Sequence, residues 1–262
     1  MSEISRQEFD ALVLAADAGD ENAIQRLEPF RAKRAVFIAA GFGSRMVPIT
    51  INTPKPLIKV KGQRIIDGLI DACIKAGIEE IYIVRGYLKE QFDQLLYKYP
   101  MIKFIDNDLY TEANNISSAF LARRLLRNAY VFEADLCISN PDIITKYHYS
   151  SDFLAIPVKE SEDWCFDTKD GIITEEMVGG KDCHQMVGIS YWSDCDGAKL
   201  EKHLEQAFSK EKKTQLYWEQ VPLRDFKEDY SVAVRECSMS DIIELDTFKE
   251  LMEFDDSYKV II

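Results

Sequence analysis

Between residues 39 and 57 the chain sets glycines, two cations and three prolines at a spacing suited to holding a polyphosphate. Ala39-Ala40-Gly41-Phe42-Gly43-Ser44-Arg45-Met46 is followed by Thr53-Pro54-Lys55-Pro56-Leu57. Glycines let a backbone turn sharply and bring its N–H groups against phosphate oxygens with no Cβ in the way. Pro54 and Pro56 bracket Lys55 and stiffen the backbone that carries it. Arg45 adds a second cation just after the glycines. Two other phosphate motifs do not fit. A dinucleotide fingerprint needs a third Gly or an Ala where this chain has Met46, and the Gly-Lys-Ser/Thr ending of a P-loop is absent. The chemistry suggested is therefore neither hydride transfer nor P-loop hydrolysis.

The charge distribution points the same way. The net charge is −13, yet Pro29 to Ile66 contains no Asp or Glu and holds Arg31, Lys33, Arg34, Arg45, Lys55, Lys59, Lys61 and Arg64. A cationic island in an acidic protein suggests a local anionic ligand such as a nucleotide phosphate. The overall acidity and a pI near 4.8 argue against a nucleic-acid partner. Six cysteines form no C-x-x-C pair, and Cys183-His184 has no second ligand pair at zinc-finger spacing, as expected of reduced thiols in the cytosol. No apolar run nears the roughly 20 residues of a membrane span. The opening Met1–Asp10 is too polar for a secretory signal. The expectation is a cytoplasmic protein with no membrane partner.

The elements that must position these residues follow from periodicity. Ala35–Ala39 is a continuous apolar run, as in a strand buried on both faces. Further strands are expected at 80–84, 102–105 and 130–133, alternating with helices at 65–76, 87–99 and 117–127. That alternation predicts an α/β fold, Rossmann-like, with a mostly parallel mixed sheet and helices on both faces. Beyond Pro141 the pattern loosens, with short strands expected at 153–158, 171–174, 185–192 and 231–236 and helices at 198–208 and 247–253. Residues 1–30 read as two short helices, capped by Ser5 and Asp20. They form a helical N-terminal extension for packing or oligomerisation, which leaves a homodimer open. The remaining domain, 31–262, divides into a nucleotide-binding half (31–140) and an acceptor-binding half (141–262).

Glu133-Ala134-Asp135 closes the strand at 130–133, and carboxylates at the carboxyl end of a parallel strand sit where such sheets bind ligands. Together with the glycine loop and Thr53–Leu57, this resembles the sugar-nucleotide pyrophosphorylase superfamily, whose nucleotidyltransferase fold is GT-A-like. Within it the chain is similar to the bacterial CTP:phosphocholine cytidylyltransferases. The resemblance also rests on Val84–Phe92, Asn114-Asn115, Gly188–Trp192 and Leu216-Tyr217-Trp218, and it runs from about Arg34 onward. Where the family often has Val-Gly-Tyr, this chain has Arg85-Gly86-Tyr87, which leaves the role of Arg85 open.

The resemblance implies transfer of CMP from CTP to phosphocholine, giving CDP-choline and pyrophosphate. It implies a nucleotide site of Ala39, Ala40, Gly41, Gly43, Ser44, Arg45, Lys55, Gly86, Tyr87, Asn115 and Ser117. Lys55, Arg45 and Asp135 would be the catalytic residues. Mg²⁺ is the implied cofactor, held by Asp135 and a second carboxylate near the C-terminus, assigned to Asp246, with Glu244 its rival. Asp246 also suits a helix N-cap before Thr247. For the acceptor the expected residues are Trp164, Trp192, Tyr217, Trp218 and Glu133, since aromatic faces attract a quaternary ammonium. Glu162, Asp163 and Glu219 flank these aromatics and would suit a primary amine, as in 2-aminoethylphosphonate or phosphoethanolamine. A sugar phosphate acceptor and a non-catalytic nucleotide-binding module are the other readings.

Overall fold

In a computed structural model, which describes residues 4–259, the predicted alternation becomes a layered sheet. Helices α1 (Arg6–Asp17) and α2 (Glu21–Leu27) precede β1 (Arg34–Ala39). A small hairpin, β2 (Lys59–Val60) and β3 (Gln63–Arg64), leads into α3 (Ile65–Lys75). Then follow β4 (Glu80–Arg85), β5 (Lys103–Asp106), α4 (Ile116–Ala122), β6 (Ala129–Glu133) and β7 (Leu136–Ile138). The second half holds β8 (Asp152–Lys169), β9 (Ile172–Trp192), α5 (Asp194–Leu204), β10 (Ala233–Glu236), β11 (Ile242–Glu244) and α6 (Phe248–Phe254).

Seven strands form the main sheet in the order β10-β8-β9-β6-β1-β4-β5. The run β6-β1-β4-β5 is parallel, and β9 lies antiparallel to both β6 and β8. Side chains of a strand alternate between faces, and here both faces are apolar. Ala35, Phe37, Ile83 and Phe132 join Ile66, Leu69 and Ile70 of α3 in one core. Val36, Val84 and Val131 join Ile116 and Ala119 of α4 and Leu200 of α5 in the other. The expected mixed, mostly parallel sheet with helices on both faces is thus present.

Three expectations are revised. The short strands at 153–158, 171–174 and 185–192 are parts of one long hairpin, β8–β9, which turns at Asp170-Gly171 with φ of 52° and 77°. Its outer stretch, Lys159–Asp163, is largely exposed, so it carries no apolar alternation. Lys89–Tyr97 winds as a 3₁₀ helix after Leu88 at positive φ. The helix expected at 117–127 ends at Ala122 and tightens into a 3₁₀ turn through Leu125.

The N-terminal helices take the predicted caps: Ser5 Oγ accepts from the Glu8 N–H, and Asp20 from Asn22 and Ala23. Phe9 packs edge-on against Phe30 and Tyr149. Among the described residues, no helix is long and apolar enough to cross a membrane.

Candidate active site

The sheet delivers the chemistry at the carboxyl ends of β1 and β6. The glycine loop leaves β1, and Asp135 follows β6, its neighbour in the sheet. Gly43 lies at φ +68°, and a Cβ there would stand 3.1 Å from Lys55 Cβ and 3.2 Å from Thr50 Cγ2. Glycine therefore lets Lys55 press against the loop. The third strand of the site comes from far along the chain: β11 pairs with β7, Glu244 opposite Leu136, and carries Glu244 and Asp246 to Asp135.

Lys55 Nζ donates to Asp135 Oδ2 and Asp246 Oδ1, each at 2.8 Å. Arg45 pairs with Asp246 Oδ2 at 2.6 Å. Burial pulls the Lys55 ammonium down, but Asp135 and Asp246 outweigh it and leave its pKa above the ordinary value. Thr247 and Glu250 close a capping box on α6. The cap is therefore Thr247, and the Asp246 carboxylate is free for the cluster.

Four carboxylates face these two cations. One oxygen each of Glu133, Asp135 and Glu244 lie within 4.8 Å of one another. Asp135 Oδ1 is buried without a hydrogen-bond partner. Burial, reinforced by Asp135 and Asp246, pushes Glu244 up to about 8. Burial beside Asp135, Glu219 and Glu244 raises Glu133 well above the usual carboxylate range. Uncompensated oxygens in such a cluster fit a divalent cation, and Mg²⁺ takes one or two protein carboxylates with phosphate oxygens and water. Among the described residues this is the one group of three or more metal-type side chains.

These residues line a cleft of about 630 Å³. Its lining includes Ala39, Gly41, Gly43, Ser44, Arg45, Lys55 and Asn115, together with Trp164, Tyr217, Glu133, Glu162, Asp163 and Glu219. Trp164 and Tyr217 meet edge to face at 5.6 Å. Glu219 is 3 % exposed, its Oε2 has no partner, and burial pushes it up to about 8.

Other expected residues lie elsewhere. Trp192 is fully buried between Phe153, Trp218 and Tyr230, its indole N–H donating to Ser190 Oγ. Trp218 is 3 % exposed and stacks on Phe153. Both are core residues: Trp192 at the end of β9 and Trp218 in a later turn pack into the core that α5 shares. Ala40, Gly86 and Tyr87 brace the loop from behind. The Ala40 carbonyl accepts from the Tyr87 N–H, Gly86 lies against that carbonyl, and Tyr87 Oη donates to the Ile51 carbonyl. Ser117 is buried between Asn107 and the Asn114 carbonyl. Arg85 pairs with Asp93 and Asp106 over the Phe104 ring, a structural role. Of the cationic island only Arg45 and Lys55 line the cleft; Arg31, Lys33, Arg34 and Arg64 pair with Glu79, Glu28, Glu80 and Asp67.

Sequence reasoning missed Val178, Met186 and Gly188, which line the cleft from β9. Gly188 lies at φ +74°, and a Cβ there would come within 2.6 Å of Glu133 Oε2. Within Gly188–Trp192 its left-handed backbone leaves no signal.

Comparison with known proteins gives this geometry its family. The nucleotidyl transferase family matches residues 34–170. The chain is 38 % identical to the 2-aminoethylphosphonate cytidylyltransferase of Lancefieldella rimae, over 86 % of this chain and 92 % of that one. It is 29 % identical to the choline-phosphate cytidylyltransferase of Streptococcus pneumoniae, over 86 % and 98 %. The solved structure of CTP:phosphocholine cytidylyltransferase from that organism superposes with a TM-score of 0.78, covering 87 % of this chain and all of the other. The inference from the glycine loop, Lys55 and Asp135 is borne out: the chain belongs to the nucleotidyl transferase family and is a nucleotidyltransferase.

Proposed function

We propose that the enzyme transfers CMP from CTP to a small phosphonate or phosphate ester bearing a primary ammonium, of the 2-aminoethylphosphonate class. The observation that carries this is one cleft lined by two unlike sets of residues. Arg45, Lys55 and the glycine loop suit a triphosphate. Glu219, Glu162 and Asp163 line the same cleft with Trp164 and Tyr217. A primary ammonium has three N–H donors for such carboxylates, and a quaternary one has none. With Trp192 and Trp218 in the core, only two of the four expected aromatics remain to cradle a choline. The relative named for 2-aminoethylphosphonate supports the same choice. Phosphocholine is the second reading, favoured by the Trp164–Tyr217 pair, whose faces would attract a trimethylammonium.

An acceptor oxygen attacks the α-phosphorus. A new P–O bond forms as the bond to the β-phosphate bridge breaks, and pyrophosphate leaves with the electron pair. The acceptor is already anionic, since a phosphonate or phosphate ester has lost its first proton well below neutral pH and an ester's second pKa is about 6, so no general base is needed. The enzyme's work is to align two anions and offset their repulsion. Asp135 with Glu244 or Asp246 would hold a divalent cation, which when bound supplies positive charge against the reacting phosphates. Lys55 would lie along the α-phosphate, Arg45 would hold the departing pyrophosphate, and loop N–H groups would fix the triphosphate.

Pyrophosphate release from CTP should be measured with 2-aminoethylphosphonate, phosphoethanolamine, phosphocholine and a sugar phosphate. The expected order of kcat/KM places 2-aminoethylphosphonate first, with phosphocholine about tenfold or more below it, the cost of leaving a buried carboxylate without its donors. Glu219→Gln should erase most of that preference by raising KM for the primary amines. A higher kcat/KM for phosphocholine would reverse the assignment, and no release with any acceptor would remove it.

A further inference from the structure

The two cations assigned to the triphosphate are already engaged with the carboxylates assigned to the metal. Lys55 is one-tenth exposed in its side chain and bridges Asp135 and Asp246, 2.8 Å from each. Arg45 takes the remaining Asp246 oxygen. Both oxygens of Asp246 and one of Asp135 are thus occupied, and Asp135 Oδ1 alone in this pair has no partner. A divalent cation held by Asp135 and Asp246 must displace Nζ or Arg45 from Asp246, and even through the open Asp135 Oδ1 it lies on the carboxylate that Nζ holds by Oδ2, so it meets Nζ at both carboxylates. Two positive centres cannot share them without strong repulsion at such distances. A displaced ammonium, still buried, needs another anion, and the nearest the reaction offers is the triphosphate.

We infer that Lys55 and Arg45 are resident counter-ions of the metal carboxylates, so that metal ion and nucleotide bind as an interdependent pair. The metal releases the cations from Asp135 and Asp246, and the nucleotide phosphates receive them. Metal alone binds weakly because it must break the two ion pairs of a buried ammonium with no phosphate present to replace them. This guards the site: the carboxylates stay neutralised in the resting enzyme, and the full set of charges is exposed only when substrate brings its own. The inference rests on the metal part of the proposed function and adds an order of events to it.

The test is binding of Mn²⁺ alone, without nucleotide or acceptor, to the full-length protein, read from the electron paramagnetic resonance signal of the free ion. Lys55→Met should bind Mn²⁺ about tenfold more tightly than the unaltered enzyme, within the usual range of couplings between sites. Arg45→Ala should shift affinity in the same direction but less, since its guanidinium is two-thirds exposed and meets one carboxylate. Should Lys55→Met fail to fold, Arg45→Ala decides by the same criterion. Unchanged or weaker Mn²⁺ affinity in the folded variants overturns the inference while leaving the transfer reaction standing. Absence of Mn²⁺ binding in all three proteins removes the metal from this site and the inference with it, an outcome the pyrophosphate assay separates from loss of the reaction.

Discussion

Asp246 and Thr247 divide one task that the residues alone could not apportion. Either could cap α6. Thr247 does so, with Glu250 answering it, and Asp246 turns to Lys55 and Arg45. Lys55 and Arg45 were legible because they sit within one continuous motif, where local spacing sets their neighbours. Glu244 and Asp246 were named only through the family resemblance, because their approach to Asp135 depends on a ladder between residues more than a hundred positions apart. The same distinction frames the expected effect of Lys55→Ala. With the ammonium gone, charge developing on the reacting phosphates loses its donor, and kcat should fall about 10²-fold or more, the scale of one preorganised transition-state contact. The metal competition argued above acts on binding, so saturating Mg²⁺ should not restore the loss. Single-turnover measurement of CMP transfer checks this, and near-normal turnover would take Lys55 out of the chemistry.

At the scale of elements, the parallel half announced itself and the hairpin did not. Runs such as Ala35–Ala39 and Tyr130–Phe132 are apolar throughout because helices cover both faces of their strands. β8 and β9 have a covered inner part and an exposed outer arm, so their pattern breaks partway and reads as several short strands. That misreading hid Val178, which falls between two of the expected strands, while Met186 and Gly188 lay in an expected strand whose cleft-facing side the pattern did not show. The tryptophans show the same limit: Trp192 lies at the inner end of β9, in contact with core aromatics, and Trp164 on the arm beside the cleft. Their truncations should therefore part company. Trp192→Ala is expected to cost about 3–5 kcal/mol of stability, as large-to-small core changes do, with any surviving folded enzyme keeping its KM for the acceptor. Trp164→Ala should leave the unfolding free energy from denaturant titration within about 1 kcal/mol of the parent's, as part-exposed positions do, and raise acceptor KM. Equal KM changes in the two would contradict the division between core and cleft.

For the molecule as a whole, chemistry and cohesion lie at opposite ends of the sheet. The cleft opens where β6 ends. At the start of β6, Tyr130 stands opposite Tyr191, which in turn stands opposite Asp152. There His148 Nδ1 lies 2.6 Å from Asp152, Arg235 donates to Asp152 Oδ1 at 3.1 Å, and Arg235 reaches Tyr130 Oη at 3.2 Å. This network ties β6, β8 and β10 to the segment before β8, joining the two halves of the chain away from the substrates. Burial holds His148 below its ordinary value, with Arg235 adding to it and Asp152 opposing. Asp152, although burial alone would raise it, is held below the usual carboxylate range by Arg235 and His148. An unfolded histidine takes up its proton near pH 6.5 and an unfolded aspartate near 3.9. Below about pH 6.5 the unfolded chain therefore gains a proton that the fold resists at His148, and stability falls as the pH falls toward the folded value. The Asp152 contribution is intact above about pH 3.9 and is lost only as pH drops through its lower folded value. The raised values of Glu133, Glu219 and Glu244 favour the fold as pH falls from 7 to 5, and His148 should oppose them, by at most about 1.4 kcal/mol per pH unit in unfolding free energy from urea titrations. In His148→Gln the network loses its titrating member, so the unfolding free energy should rise more steeply toward pH 5 than in the parent even if the variant is less stable throughout. An identical slope in the two proteins would place the acid sensitivity elsewhere and leave His148 as packing for Tyr191 alone.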